Sequence, residues 1–150
     1  DPGLSLFQEF NFTIGQWTVE LDGPGKAGAA ASHRHPVQSN ITTDLDGCLI
    51  EEKLTGPQGY EARVFTNIRP IDEIWRRTYV DNQGLRVYLT GPRIHDGKIV
   101  LSGTMPTLGG GTRQVRATFE RLGPNRFVQR WTREDRHGWT TLVTARYARR

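Results

Sequence analysis

Turn-forming residues divide this chain into short pieces, and within each piece apolar and polar residues alternate. The breaks are Asp46-Gly47, Thr55-Gly56-Pro57, Arg69-Pro70, Asn82-Gln83-Gly84, Asp96-Gly97, Gly109-Gly110-Gly111, Gly123-Pro124-Asn125 and His137-Gly138. Between them the sequence predicts strands at 13–22, 36–45, 48–55, 60–68, 73–81, 84–91, 97–105, 112–121, 126–134 and 139–148. A period of two is the mark of a half-buried strand. Most gaps are two to six residues, the length that joins antiparallel neighbours. The exception is 23–35, GPGKAGAAASHRH, which reads as a surface loop or lid. Ahead of the first strand, Leu4 to Phe10 reads as one or two helical turns with Leu6, Phe7 and Phe10 on one side.

Ten antiparallel neighbours in 150 residues favour closure, because closure removes exposed strand edges. A sandwich of two sheets needs longer crossing connections than these turns allow. The expected fold is therefore all-β: a closed, up-and-down antiparallel β-barrel of about ten strands with a short N-terminal helix, forming one domain over 1–150. A barrel of that size holds side chains or one small ligand.

Composition narrows the function classes. Residues 1–75 carry 5 Lys/Arg against 11 Asp/Glu, and residues 76–150 carry 15 against 5. The simplest reading is that the two halves neutralise each other across the closed sheet. An anionic ligand is the second reading, and nucleic acid the third, because no known binding motif accompanies the basic residues. No apolar run approaches the ~20 residues of a membrane helix, no signal peptide is recognisable, and the single Cys48 points to a reducing, cytoplasmic setting. The tripeptides Asn11-Phe12-Thr13 and Asn40-Ile41-Thr42 match the glycosylation pattern by chance.

Metal chemistry has no support: His33 and His35 fall in the loop, His95 and His137 in turns, and none has ligand spacing. A haem barrel would need an inward His, and His137 is badly placed for it. No Ser-His-acid arrangement is identifiable around Ser5, Ser39 or Ser102. No cofactor is expected. Gly109-Gly110-Gly111 precedes a strand rather than a helix, so it reads as a wide hairpin and not a phosphate loop.

Parity then sorts the strands into wet and core faces. Trp17, Val19 and Leu21 face in on the first strand, with Gly15 letting it bend and Trp17 plugging that end. The third strand turns Cys48, Ile50, Glu52 and Leu54 inward, and the fourth Ala62, Val64, Thr66 and Ile68. Leu85, Val87 and Leu89 follow, then Ile99, Leu101 and Gly103, then Arg116 and Thr118, then Phe127, Gln129 and Trp131. The fifth strand is ambiguous: one face carries Ile74, Arg76, Thr78 and Val80, the other Trp75, Arg77 and Tyr79.

Gly15-Gln16-Trp17 resembles the Gly-x-Trp signature on the first strand of lipocalins and other calycins. The run from Phe10 to Trp17, Asp46-Gly47-Cys48-Leu49-Ile50-Glu51-Glu52, Trp75 to Asp81, Gln129-Arg130-Trp131 and Arg146-Tyr147 are similar, in order, to a bacterial calycin-like family of largely unknown function. Members more often carry Gln and Trp at the positions of Arg77 and Tyr79, and Trp at that of Phe119. The resemblance implies the barrel fold and an inward Trp75-Arg77-Tyr79 face. It also implies a C-terminal basic residue packed over Trp17, for which Arg146 is the candidate.

The candidate site is thus a polar set, Glu52, Thr66, Arg77, Tyr79, Arg116 and Gln129, inside an apolar barrel with Trp17, Trp75 and Trp131 as aromatic walls. A few convergent polar groups in an apolar cavity are what a small-molecule site looks like. A buried Glu52–arginine pair would produce the same pattern without any ligand. The first functional expectation is binding of a small, largely apolar molecule bearing a carbonyl or carboxylate near Arg77 or Arg116. The second is a cyclase or isomerase, with Glu52 as acid or base and Arg77 or Tyr79 polarising a carbonyl. The third is an interaction domain or homodimer using the basic half, with neither membrane nor nucleic acid as partner.

Overall fold

In a computed structural model, which describes residues 6–23 and 36–150, the alternating segments become ten antiparallel strands. They are β1 (Gly15–Asp22), β2 (Val37–Asp44), β3 (Leu49–Thr55), β4 (Glu61–Arg69), β5 (Ile74–Asp81), β6 (Arg86–Gly91), β7 (Lys98–Pro106), β8 (Thr112–Gly123), β9 (Arg126–Asp135) and β10 (Gly138–Arg149). Each pairs with its chain neighbours, and β1 closes on β10 to complete the barrel. The expected loop or lid over 23–35 lies outside the described residues except for Gly23, and so does Ser5.

One end of the barrel is plugged. Residues 6–8 are helical and Asn11–Thr13 form a 3-10 turn, which brings Leu6 and Phe10 beneath the strands. Phe10 meets Trp75 edge-on at 4.7 Å and Phe119 at 5.2 Å, while Trp17 meets Phe127 at 4.8 Å. Glu9 ties the segment down by accepting from Trp75 Nε1 (2.8 Å), Arg93 Nε (2.8 Å) and the Ile94 backbone N–H (3.2 Å). Burying each large apolar side chain contributes roughly 1.5–3 kcal/mol, so this aromatic layer is a major part of the core.

Trp17 is fully buried, and its indole N–H donates to the Thr13 carbonyl at 2.8 Å. The cation over its ring is Arg149, at 4.2 Å, and not Arg146, which reaches Asp22 on the outer surface at 3.3 Å. The reason is register. Trp17 lies opposite Arg149, whereas Arg146 lies opposite Glu20 on the wet face. Gly15 has φ +139°, a conformation that favours glycine, and a Cβ there would also push the Arg149 guanidinium aside.

Three inward assignments, Cys48, Arg116 and Thr118, are corrected. Cys48 is exposed in the turn before β3. On β8 the inward residues are Val115, Ala117 and Phe119, while Arg116 and Thr118 lie on the outer face. Residues directly opposite in a ladder share a face, and Ile99 pairs with Phe119 and Leu101 with Ala117. On β5 the aromatic face points in, because Ile68, Thr66 and Val64 of β4 stand opposite Trp75, Arg77 and Tyr79.

Candidate functional site

Above the aromatic plug the barrel is hollow. A cavity of about 340 Å³ opens toward the end that carries the turns after β3, β5, β7 and β9. Gly23 and Pro36, which flank the segment outside the described residues, are at this same end. Pockets that hold drug-sized ligands measure ~300–1,000 Å³, so this one sits at the lower end of that range. Its wall is mostly apolar, with Leu21, Leu54, Leu85, Met105 and Leu142 among the contributors.

The floor is polar and tightly organised. Glu52 accepts from Ser39 Oγ (2.6 Å) and Tyr147 Oη (2.7 Å) at Oε2, and from Arg77 Nη2 (3.3 Å) at Oε1. Arg77 Nη1 donates to Thr66 Oγ1 at 3.0 Å, and the guanidinium lies over the Phe119 ring at 4.8 Å. Arg77 Nε is buried without a partner. Each partner offsets the burial of the other, because an ion stripped of water and left alone would cost several kcal/mol (~3–5). Burial pushes the Tyr147 phenol well above its ordinary 10.0, with the neighbouring Glu52 charge adding to the rise and Arg77 opposing it. Tyr147 is therefore a neutral donor at every physiological pH.

A second cluster stands nearer the mouth. The Tyr60 and Tyr79 hydroxyls are 2.6 Å apart, and Tyr79 donates to Asp81 Oδ2 at 2.9 Å. An ionised carboxylate only accepts, so the protons run from Tyr60 to Tyr79 to Asp81. Burial raises both phenols above the ordinary tyrosine value.

Gln129 differs from Glu52, Tyr60, Tyr79 and Tyr147, whose polar side-chain atoms are all hydrogen-bonded. It is 5% exposed, it lines the cavity, and among the described residues its amide makes no hydrogen bond. Unlike Arg77 Nε, its amide atoms are not sealed from solvent, so they stay available within the cavity. Trp131 lies two residues along on the same face of β9, is half-buried in the cavity wall, and its indole N–H is likewise unpaired among the described residues.

Of the residues singled out in the sequence, Glu52, Arg77, Tyr79, Gln129 and Trp131 line the cavity. Thr66 is buried behind Arg77 and borders only a small cleft beneath the floor. Trp17 and Trp75 belong to the plug, away from the cavity. Arg116 is outside the barrel, stacked over Trp139 at 3.9 Å. Its parity was misjudged although Val115, Ala117 and Phe119 form the apolar set of β8. Sequence reasoning also missed Ser39, Tyr60 and Tyr147. Tyr147 follows from the β9–β10 register, which only the structure supplies: Gln129 faces in and pairs with Ala145, which puts Tyr147 on the same face of β10.

Among the described residues no cluster of His, Cys, Asp and Glu could hold a metal, and no helix is long and apolar enough to cross a membrane. No known family model matches the chain, and no curated protein sequence matches it.

Proposed function

We propose that this chain binds a small, largely apolar molecule inside its barrel, in the manner of the lipocalins and other calycins that its Gly15-Gln16-Trp17 strand resembles. The observation that carries the reading is the open, mainly apolar cavity with the unpaired Gln129 amide on its floor. A cavity of this kind offers a ligand apolar burial along its length and a hydrogen bond at its end. A cyclase or isomerase reading needs Glu52 to act on a substrate as acid or base. It is disfavoured by the three hydrogen bonds that already occupy both carboxylate oxygens. The single exposed Cys48 suits a reducing compartment such as the cytoplasm.

The test uses the uncharged apolar dye N-phenyl-1-naphthylamine. Fluorescence titration is expected to saturate at one dye per chain, and Val143→Trp, which fills the cavity from β10, is expected to abolish the signal. Titration without saturation, or equal binding by the filled variant, would remove the small-molecule reading.

A further inference from the structure

The charges around the cavity determine which chemical class of ligand it accepts, an inference that rests on the binding reading above. Glu52 and Arg77 are the charged side chains in its wall among the described residues, and they are paired with each other at 3.3 Å. The guanidinium is held on three sides, by Thr66, by Glu52 and by the face of Phe119. Its one charge is matched by that of Glu52, so although the buried Nε–H has no partner, no charge is left over to compensate a third one. A carboxylate placed on the floor would stand beside Glu52 without a cation of its own. An ammonium would stand beside Arg77, next to a carboxylate whose two oxygens already accept hydrogen bonds.

Neutral hydrogen-bonding capacity, by contrast, is available. Gln129 presents one acceptor oxygen and two N–H donors, and the Trp131 N–H adds another donor on the same strand face. Arg77, Glu52, Gln129 and Tyr147 also border the small cleft beneath the floor, so these polar groups are at the deep end, while toward the mouth the wall is aliphatic apart from the Tyr60 and Tyr79 hydroxyls, which are bonded to each other and to Asp81. A molecule fitting this gradient enters with its polar end first.

We infer that the ligand is an uncharged molecule with a carbonyl or carboxamide group at one end of an aliphatic body, anchored through Gln129, and that ionised analogues of the same shape are rejected.

The experiment displaces N-phenyl-1-naphthylamine with a matched series at pH 7.5: octanamide, nonan-2-one, octanoate, octylammonium and heptane. Octanamide and nonan-2-one are expected to bind at least ten-fold more tightly than octanoate or octylammonium. Gln129→Leu and Gln129→Met are expected to weaken octanamide at least ten-fold while heptane binds as before, which also reports an intact cavity. Octanoate or octylammonium binding as well as octanamide would overturn the inference. So would an octanamide-to-heptane ratio unchanged in both variants. These outcomes leave dye binding intact and so refute the ligand class alone, whereas loss of saturable dye binding by the unaltered protein refutes the binding reading itself.

Discussion

Arg77 and Glu52 are each tolerable inside the barrel only because of the other, and their effects on stability are therefore coupled. Arg77→Gln leaves the Glu52 carboxylate with Ser39 and Tyr147 but no counter-charge. It is expected to cost about 3–5 kcal/mol, the range for stranding one member of a buried pair. Adding Glu52→Gln is expected to recover part of that loss, so the double-mutant cycle from urea unfolding gives a coupling energy of ~1 kcal/mol or more. Additive losses would mean that the pair does not interact. Tyr147 makes a separate prediction at alkaline pH. Its phenol is held above 10.0 in the folded state, chiefly by burial, while in the unfolded chain it titrates near 10. The folded protein then keeps a proton that the unfolded chain releases. This contribution to stability is fully present below pH ~10 and declines above it by up to about 1.4 kcal/mol per pH unit. Between pH 10 and 11 the urea midpoint of Tyr147→Phe is expected to fall less than that of the parent protein.

Among the elements, the seam between β6 and β7 is the weakest join in the barrel. Its ladder consists of Leu89 opposite Gly103 and Thr90 opposite Ser102, whereas β7 and β8 pair from Lys98 to Pro106. The two strands meet closely at Gly103, where a Cβ would overlap the Tyr88 carbonyl, and separate toward the mouth. Beyond this short ladder, the backbone amides of β6 and β7 that point across the seam rather than toward β5 or β8 are expected to exchange with solvent faster than those of Gln129 to Trp131 on β9. Equal protection at both places in a hydrogen-exchange experiment would contradict a loose seam. The N-terminal segment is a second element with an identifiable fastening. Glu9→Gln removes the charge on the carboxylate that takes bonds from Trp75, Arg93 and Ile94. Charge-assisted hydrogen bonds contribute about 1.5–3 kcal/mol each, and the amide retains part of this set. A loss of about 1–3 kcal/mol is expected on that basis, read from denaturant unfolding, and a loss below ~0.5 kcal/mol would mean that Phe10 and Leu6 hold the plug unaided.

Over the whole molecule, the cavity belongs to no single hairpin. Its wall takes residues from every strand except β8, including Val19, Val37, Glu52, Val64, Val87 and Met105. Ligand binding and global unfolding are consequently linked. At a free concentration 100-fold above its Kd, N-phenyl-1-naphthylamine is expected to add about 2.7 kcal/mol to the unfolding free energy. The check is a thermal unfolding midpoint that climbs with dye concentration, and a midpoint indifferent to dye would show that the dye does not bind the folded barrel in preference to the unfolded chain. The opposite charge of the two halves meets across the closing seam, where Arg146 of β10 reaches Asp22 of β1. Exposed pairs of this kind contribute little individually (~0–1 kcal/mol).

Strand positions were legible in the sequence because they depend on local properties. Alternation and turn residues placed every strand boundary within two residues of its position in the barrel. The same alternation put Glu52, Thr66, Gln129 and Trp131 inside. The pairing of elements was not local. Arg116 needed the β7–β8 register to be seen as an outer residue, and Arg149 rather than Arg146 needed the β1–β10 register to be seen over Trp17. Registers are interrupted between Arg121 and Gly123 and between Thr141 and Val143, and each irregularity changes the relation between sequence spacing and facing. The sequence could name an inward Glu52 and an inward Gln129 in the same terms. Only the tertiary structure decided that three donors converge on the first and none on the second, because hydrogen-bond satisfaction depends on what the other strands bring to the same point.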